Sequence, residues 1–443
     1  MMYHTDVLVV EGGCAGAVAA VAAARNGART MLVDRGGFVG GTSTAILDTF
    51  YAFYTPGERP EKVVSGLPDE VVARVERYDA VLRRPNTYGA GMGITYNPET
   101  LKRVWDDLMV ESGIRLLLHS FVFDALVEGT PSADGRAAGG RVTGVRLANK
   151  GGVHEVRARA VVDASGDADV VARADGAYEL AGRDSPQQTL TTTFRMGGVD
   201  PDKAFSFSSK EFHAMMSEAN RSGEYHLPRE EGSAHRTPTP GVVATILTRV
   251  PGVDIEDAEA LTAAEVEGRR QVAEYVRFMK GRVPGYKDAY LMHTSPWIGI
   301  RETRRVIGDY VLRAEDVLAA RQFPDAIARC GAPIEDHHGG KDTRWVYIPE
   351  GGTYGIPYPC LLPGGLEGVL VAGRCLSATH DAHASARSMG TCMAMGQAAG
   401  TAAALAAVRG TTPRALPIDD LQATLDAQGA DFGQRTAPAG AGQ

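Results

Sequence analysis

The chain has 443 residues, enough for two or three domains with a large buried core and too many for a small binding module. Its 46 Lys plus Arg stand against 54 Asp plus Glu, a formal charge of −8. That balance leaves no basic excess for a nucleic-acid backbone or an anionic membrane.

Five cysteines (Cys14, Cys330, Cys360, Cys375, Cys392) form no Cys-x-x-Cys pair. In so long a chain they do not suggest a disulfide framework, and a reducing cytoplasm is the expected setting. The polar N-terminus leads directly into a strand-like run, without the pattern of a signal peptide.

Asp6 to Val10 is a continuous apolar run of the kind found in central parallel strands. Glu11-Gly-Gly-Cys-Ala-Gly16 follows, then an Ala-rich helix ending near Asn26-Gly27, then a second apolar run, Thr30 to Val33, closed by Asp34. Strand, Gly-rich turn, helix and strand within about 30 residues make a βαβ unit. Ile114 to Leu118 predicts another parallel strand, and Phe121 to Val127 with Arg141 to Leu147 predict an antiparallel pair. Ala158 to Val162 predicts a further parallel strand, ending in Asp163-Ala-Ser-Gly-Asp167. From 176 to 345 the pattern changes to mixed strands and charged helices, including Glu256 to Met279, and an inserted domain is expected. Gly368 to Ala372 restores the buried-strand pattern. Met393 to Val408 is read as a buried helix, too short and too weakly hydrophobic to span a bilayer. Gln434 to Gln443 is read as a flexible tail.

The turn before the first helix predicts a dinucleotide site. A helix N-terminus offers unpaired N–H groups and partial positive charge to a pyrophosphate. Gly13 allows close approach of the phosphates, Gly16 allows tight packing of the helix on the sheet, and Asp34 stands where a carboxylate can accept from ribose hydroxyls. A purely structural turn is the alternative. One departure is Glu11, where the usual G-x-G-x-x-G has its first Gly: either the side chain points away or cofactor affinity is reduced.

Four stretches carry a resemblance: Asp6 to Thr42, Val161 to Asp169, Arg301 to Tyr310, and Tyr354 to Ala406 with its Ala378-Thr-His-Asp-Ala-His-Ala-Ser-Ala-Arg387. Together they resemble the FAD-dependent oxidoreductases whose fold is similar to the fumarate reductase and succinate dehydrogenase flavoproteins. The resemblance implies an α/β fold: a Rossmann-like, glutathione-reductase-like FAD-binding domain (parallel sheet with antiparallel crossover) and an inserted α+β substrate domain. The expected boundaries are 1–175 and 346–410 for the former, 176–345 for the latter, and 411–443 for a C-terminal helix and tail.

Residue by residue, the resemblance implies that Gly12, Gly13, Ala15 and Gly16 hold the pyrophosphate while Asp34, followed by Arg35, meets the adenosine ribose. It places Phe121 and Val122 at adenine through the backbone, and Ala164, Ser165 and Gly166 over the nucleotide. Gly40, Gly41 and Thr42 would pass the ribityl and flavin, Gly373 and Arg374 would return to the cofactor, and Thr391, Cys392 and Met393 would lie at the flavin pyrimidine edge. A helix beginning there would aim positive partial charge at the ring.

Flavin chemistry needs a substrate held over the ring and a proton acceptor or donor. Histidine suits that role near neutral pH. The candidates are His383, with His380 beside it, and His337 in Ile334-Glu-Asp-His-His338. Arg301 and Arg387, with Arg304 and Arg305 as further candidates, could fix an anionic or carbonyl-bearing substrate. On a strand Arg301 and Arg305 would share a face. Domain-interface salt bridges are the alternative, above all for Arg304 and Arg305. No spacing suggests a metal site, since the adjacent His337 and His338 diverge.

The expected reaction is hydride transfer between a small organic substrate and flavin N5, of dehydrogenase or oxidase type. No second Gly-rich unit follows the first, so reoxidation is expected through oxygen, a quinone or a carrier protein. A flavin monooxygenase, or a flavin-binding protein that has lost catalysis, are the alternatives.

Overall fold

Fully buried apolar strands set the centre of the molecule. The computed structural model describes residues 1–86, 91–129, 140–340 and 342–433; the expected tail lies outside them, as does most of the loop joining the antiparallel pair. The run predicted from Asp6 begins at Met2, and Val7 to Val10 are at most 1% exposed. Met2–Val10 pairs in parallel with Thr30–Val33 on one side and with Gly152–Asp163 on the other. Arg115–Leu117 extends the sheet past Thr30–Val33. Phe121–Glu128 and Gly140–Asn149 are antiparallel, and Gly140–Asn149 also runs antiparallel to Gly152–Asp163. The far end of that last strand, Val161 to Asp163, accepts Val369–Val371 in parallel. The sheet is therefore parallel with an antiparallel crossover, and every strand read from the sequence belongs to it.

Two small-residue helices pack back to back on this sheet, Cys14–Arg25 and Met389–Arg409. A Cβ on Gly396 would stand 2.2 Å from the Ala15 carbonyl oxygen, and one on Gly400 would stand 2.1 Å from that of Ala19. These two glycines, one turn apart, let the backbones touch. The second helix starts four residues before the expected Met393, because Ser388 is its N-cap. With 21 residues it is long and apolar enough to cross a membrane, which corrects the length argument, but 89% of its most apolar window is buried inside the fold. It is a core helix.

A second sheet comes from the middle of the chain, in the order Ser233–Arg236, Val243–Ile246, Phe194–Gly197, Tyr290–Thr294, all antiparallel. Strand alternation sends Phe194, Met196 and Val243 to a core shared with Val272, Tyr275, Phe278 and Met279. The last four belong to the helix expected over Glu256 to Met279, which runs Ala258–Arg282. The opposite face carries a cross-strand row in register: His235 opposite Ala244, Ala244 opposite Arg195, Arg195 opposite His293. Arg304–Val306 is a three-residue strand paired with Tyr178–Leu180. Arg301 precedes it, so the expected strand face shared by Arg301 and Arg305 does not exist.

Candidate functional site

The opening turn is built for an anion. Gly13 is the N-cap of Cys14–Arg25; the helix has no side-chain cap and no acid in its first turn. A Cβ at Gly13 would meet nothing within 4 Å, so the helix end faces open space. Asp34, 6% exposed, accepts from Gly12 N–H at 2.7 Å and Gly36 N–H at 2.6 Å, locking the turn to the end of the second strand. Gly40 N–H donates to the Gly12 carbonyl at 2.7 Å, and a Cβ on Gly41 would lie 2.9 Å from Gly13 Cα. Gly40 and Gly41, with Thr42 opening the next short helix, therefore run directly beside the first turn.

Three further segments close on the same place. Gly373 packs on Ala15, where a Cβ would come within 2.9 Å of the alanine methyl. Arg374 pairs with Asp167 at 2.8 Å and covers Gly166. Ser165 Oγ donates to Asp163 at 2.6 Å, and a Cβ on Gly16 would stand 2.9 Å from the Ala164 methyl. Val122 is buried while Phe121 is 44% exposed on the antiparallel ribbon. Arg35 is half exposed and lies 3.8 Å from Glu11.

Glu11 adopts a positive φ of 68°, the conformation that favours glycine. Burial, reinforced by Asp34, pushes its carboxyl up to about 8.

The second helix end also lacks a side-chain cap and a first-turn acid. Gly390 N–H donates to Tyr51 O at 2.9 Å. Thr391 Oγ1 donates to Cys330 Sγ at 3.3 Å, and Thr391 and Met393 are completely buried. Their side chains face the core, so these two can meet a cofactor only through main chain. Cys392 Sγ lies 3.2 Å from the Arg387 carbonyl, and burial pushes its thiol up.

Three of the four residues read as catalytic meet. Arg387 donates to Gln188 Oε1 at 2.8 Å and to the Glu335 carbonyl at 3.1 Å. His337 N–H reaches the same Gln188 oxygen at 3.4 Å, and His337 Nε2 lies 2.8 Å from Glu335 Oε1. Arg301 donates to Thr189 O at 2.6 Å and Thr191 Oγ1 at 2.8 Å, on the segment that Gln188 opens. Behind them, buried Arg229 and Arg249 both reach Thr343 Oγ1, which lies 3.3 Å from His337 Nδ1. Burial, then Arg387 and Arg229, push the Arg301 guanidinium well down. Burial and Arg301 do the same to His337. Burial alone would raise Glu335, but His337, Arg387 and Arg301 hold it at about 2. Guanidinium groups outnumber the carboxylate they surround, and the side chain of Glu335 is 31% exposed while that of His337 is 5% exposed. Glu335 thus fronts the pair that the sequence had credited to His337 alone.

His383 does not join them. It is completely buried, its Nε2 2.8 Å from the Arg374 carbonyl oxygen, so it has no surface to offer a substrate. Arg305 is likewise turned away, paired with Glu302 at 3.2 Å and Glu179 at 2.8 Å. Arg304 bridges Asp169 and Glu256, as the salt-bridge alternative expected. His380 sits between Glu302 and Asp336; burial lowers it, but those two hydrogen bonds win and raise it to about 9. Asp336, His380 and Asp381 are close enough to hold a metal, yet Arg344 is bonded to both carboxylates, which describes an ion-pair network. Gln188, Arg229 and Arg249 went unread because isolated residues on irregular segments carry no motif, and the His235–Ala244–Arg195–His293 row because its members stand on separate strands.

The family model for FAD dependent oxidoreductase matches residues 6–425. The chain belongs to the FAD-dependent oxidoreductase family. No curated protein matches it in sequence. Among solved structures, a geranylgeranyl bacteriochlorophyll reductase-like protein from Thermoplasma acidophilum is 12% identical with a TM-score of 0.50, over 97% of this chain and 84% of that one. OxyS anhydrotetracycline hydroxylase from Streptomyces rimosus is 13% identical with a TM-score of 0.45, over 96% and 65%. p-Nitrophenol 4-monooxygenase PnpA from Pseudomonas putida DLL-E4 is 9% identical with a TM-score of 0.48, over 93% and 83%. At such identities the likeness concerns the fold alone. This FAD-dependent oxidoreductase fits its cofactor on its own terms: two helix N-termini without side-chain caps, joined by a Gly-rich main-chain cradle, suit an anionic dinucleotide.

Proposed function

We propose that the protein is a dehydrogenase or oxidase that removes a hydride from a small anionic organic substrate. The observation that carries this reading is the convergence of Arg301, Arg387 and the His337–Glu335 pair beside the Met389–Arg409 N-terminus. FAD, when bound, supplies the hydride acceptor. Arg301 and Arg387 fix a carboxylate or similar anion of the substrate, since buried guanidinium groups in excess over carboxylates favour a negative ligand. Without substrate the surrounding guanidinium groups hold both His337 and Glu335 deprotonated; a bound substrate anion offsets that positive charge, and the His337–Glu335 pair then takes the proton released from the substrate, with Glu335 at the front. Gly12, Gly13, Ala15, Gly16, Asp34, Gly40, Gly41, Gly373 and Arg374 would hold the cofactor, with the Met389–Arg409 helix end offering it positive partial charge.

In this reading residues 1–175 and 346–410 form the cofactor domain and 176–345 the substrate domain, as in the fumarate reductase flavoproteins that the sequence resembles. The electron acceptor is oxygen, a quinone or a carrier protein, and the location is cytoplasmic; five buried free cysteines agree with a reducing compartment. Anaerobic stopped-flow mixing of holoenzyme with small hydroxy-carboxylates and their amides tests the reading. Bleaching of the flavin by a carboxylate but not by its amide supports it. Fast bleaching by NADH or NADPH with oxygen-dependent hydroxylation of a substrate overturns it in favour of a monooxygenase.

A further inference from the structure

The side-chain amide of Gln188 ties together the groups assigned to the substrate. Its Oε1 accepts from Arg387 Nη2 at 2.8 Å and from the His337 main-chain N–H at 3.4 Å. Both partners can only donate, so the amide cannot be turned over and its oxygen end is fixed toward them. The main chain is tied to the same place, because Thr189 N–H donates to the His337 carbonyl at 2.9 Å. The nitrogen end is therefore fixed too. An amide nitrogen stands about 2.3 Å from its own oxygen, which keeps Gln188 Nε2 within about 5 Å of Arg387 Nη2.

Gln188 is completely buried, and its Nε2 has no hydrogen-bond partner among the described residues. Arg387 Nε is buried without a partner in the same way. Glu335 faces these groups, but its Oε1 is already taken by His337. The cluster is therefore short of oxygen acceptors. A buried donor left unpaired loses a hydrogen bond that it had in water, so two such donors side by side ask for a ligand that carries oxygens. Arg301, Arg387 and Glu335 are each part-exposed, which opens the cluster from their side. The two donors differ in what they suit. A guanidinium suits a carboxylate, whereas a neutral amide N–H suits a neutral oxygen, carbonyl or hydroxyl.

We propose that Gln188 is a further substrate-binding residue, and that the substrate is a carboxylate with an oxygen on the neighbouring carbon, a 2-hydroxy or 2-oxo acid. Arg301 and Arg387 take the carboxylate, and Gln188 Nε2 donates to the oxygen on C2. The short span between Nε2 and the Arg387 guanidinium selects this position: an oxygen further along the chain overreaches the amide. Hydroxyl and carbonyl oxygens both accept, so one amide donor holds either form of the ligand. The inference rests on the anionic-substrate reading above.

Binding of matched four-carbon probes to the oxidised holoenzyme, by calorimetry and by perturbation of the flavin spectrum, tests it. The probes are 2-oxobutyrate, acetoacetate (its oxygen one carbon further on), butyrate (no such oxygen) and 2-oxobutyramide (no charge). 2-Oxobutyrate should bind about tenfold tighter than butyrate or acetoacetate, the worth of one hydrogen bond to a buried donor. Gln188→Met removes the donor, so the preference for 2-oxobutyrate over butyrate should vanish. If Gln188 served only to hold Arg387 in place, both acids would weaken alike and the preference would survive, which overturns the proposal. Gln188→Glu keeps an acceptor for Arg387 and the His337 N–H, and with it the local structure; it too should abolish the preference. Butyrate or acetoacetate binding as tightly as 2-oxobutyrate to the wild type overturns the role of Gln188 while leaving the anion site intact. Equal binding of 2-oxobutyramide and 2-oxobutyrate instead overturns the anion site, and failure of all the probes to bind overturns both.

Discussion

His383 Nε2 lies 2.8 Å from the main-chain oxygen of Arg374, so a fully buried imidazole donates to the segment that carries the Arg374–Asp167 ion pair. Burial, and then Arg305 and Arg387, hold this histidine well below its ordinary value, so it is neutral and fit to donate from one nitrogen. His383→Ala is expected to leave the Arg374 carbonyl unsatisfied, lowering stability by roughly 1–3 kcal/mol and weakening FAD binding. Flavin reduction at saturating FAD should stay near the wild-type rate. Reduction lost while FAD affinity is unchanged would return His383 to the reacting atoms.

Arg387 and Arg301 touch neighbouring residues, Gln188 and Thr189. Replacing either by Met should leave FAD bound and raise KM for an acidic substrate about 10- to 100-fold, the worth of a charge-assisted hydrogen bond. Because the two share a ligand in the proposed site, the double variant should lose less than the sum of the single losses. Steady-state kinetics on the three variants decides this; full additivity would place the two guanidinium groups on separate ligands.

The cofactor cradle was legible because its parts are consecutive: strand, glycines, small-residue helix and Asp34 occupy one stretch, and local spacing carries the geometry. The anion cluster was partly legible. Arg301, His337 and Arg387 sit in recognisable stretches, but their partner Gln188 and the supporting Arg229 and Arg249 come from irregular segments without any pattern. His383 misled because a histidine beside a flavin-family segment looks the same whether it faces the ring or the core. Only burial separates the two. The His235–Arg195–His293 row was invisible, since register between strands far apart in sequence, such as those of Arg195 and His293, is fixed by tertiary pairing.

The pH dependence of folding should have two limbs. His337, His383 and His235 are held down in the folded state. Below about 6.5 the unfolded chain takes protons that the folded chain refuses, so stability falls as pH drops. His380 runs the other way: its folded value of about 9 lies above the unfolded one, so its contribution is complete below about 6.5 and is lost as pH rises through 9. Urea unfolding at pH 5, 7 and 9.5 should give the highest midpoint at pH 7. His380→Gln should flatten the alkaline limb, and an unchanged limb would show that Glu302 and Asp336 do not hold the charged imidazole.

Only one Gly-rich strand-turn-helix unit precedes the proposed substrate region, and its open helix end is matched by the cofactor's own pyrophosphate. Purified protein should therefore be yellow, release FAD on denaturation, and be reduced slowly by NADH and NADPH under anaerobic conditions. A colourless protein that takes up no added FAD would contradict the cradle.

Glu11 is where this chain departs most from its motif. Its φ of 68° costs a non-glycine residue about 1 kcal/mol, so Glu11→Gly should raise stability. The carboxyl is buried and faces Asp34, and is pushed up to about 8; a bound pyrophosphate adds negative charge and pushes it further the same way. At pH 7 the group is therefore mostly protonated and does not oppose the cofactor, which replaces the simple repulsion that its position in the motif suggested. Above about 8 it ionises, and like charges about 5 Å apart at an effective dielectric near 20 repel by roughly 3 kcal/mol, less with solvent screening. Wild-type FAD affinity should fall by up to about a hundredfold between pH 7 and 9.5. Glu11→Gly should bind FAD about as tightly as wild type at pH 7 and keep that affinity at pH 9.5. Titrating apo-protein with FAD at both values checks this: parallel profiles for the two proteins would show that the carboxyl turns away from the pyrophosphate, toward Arg35.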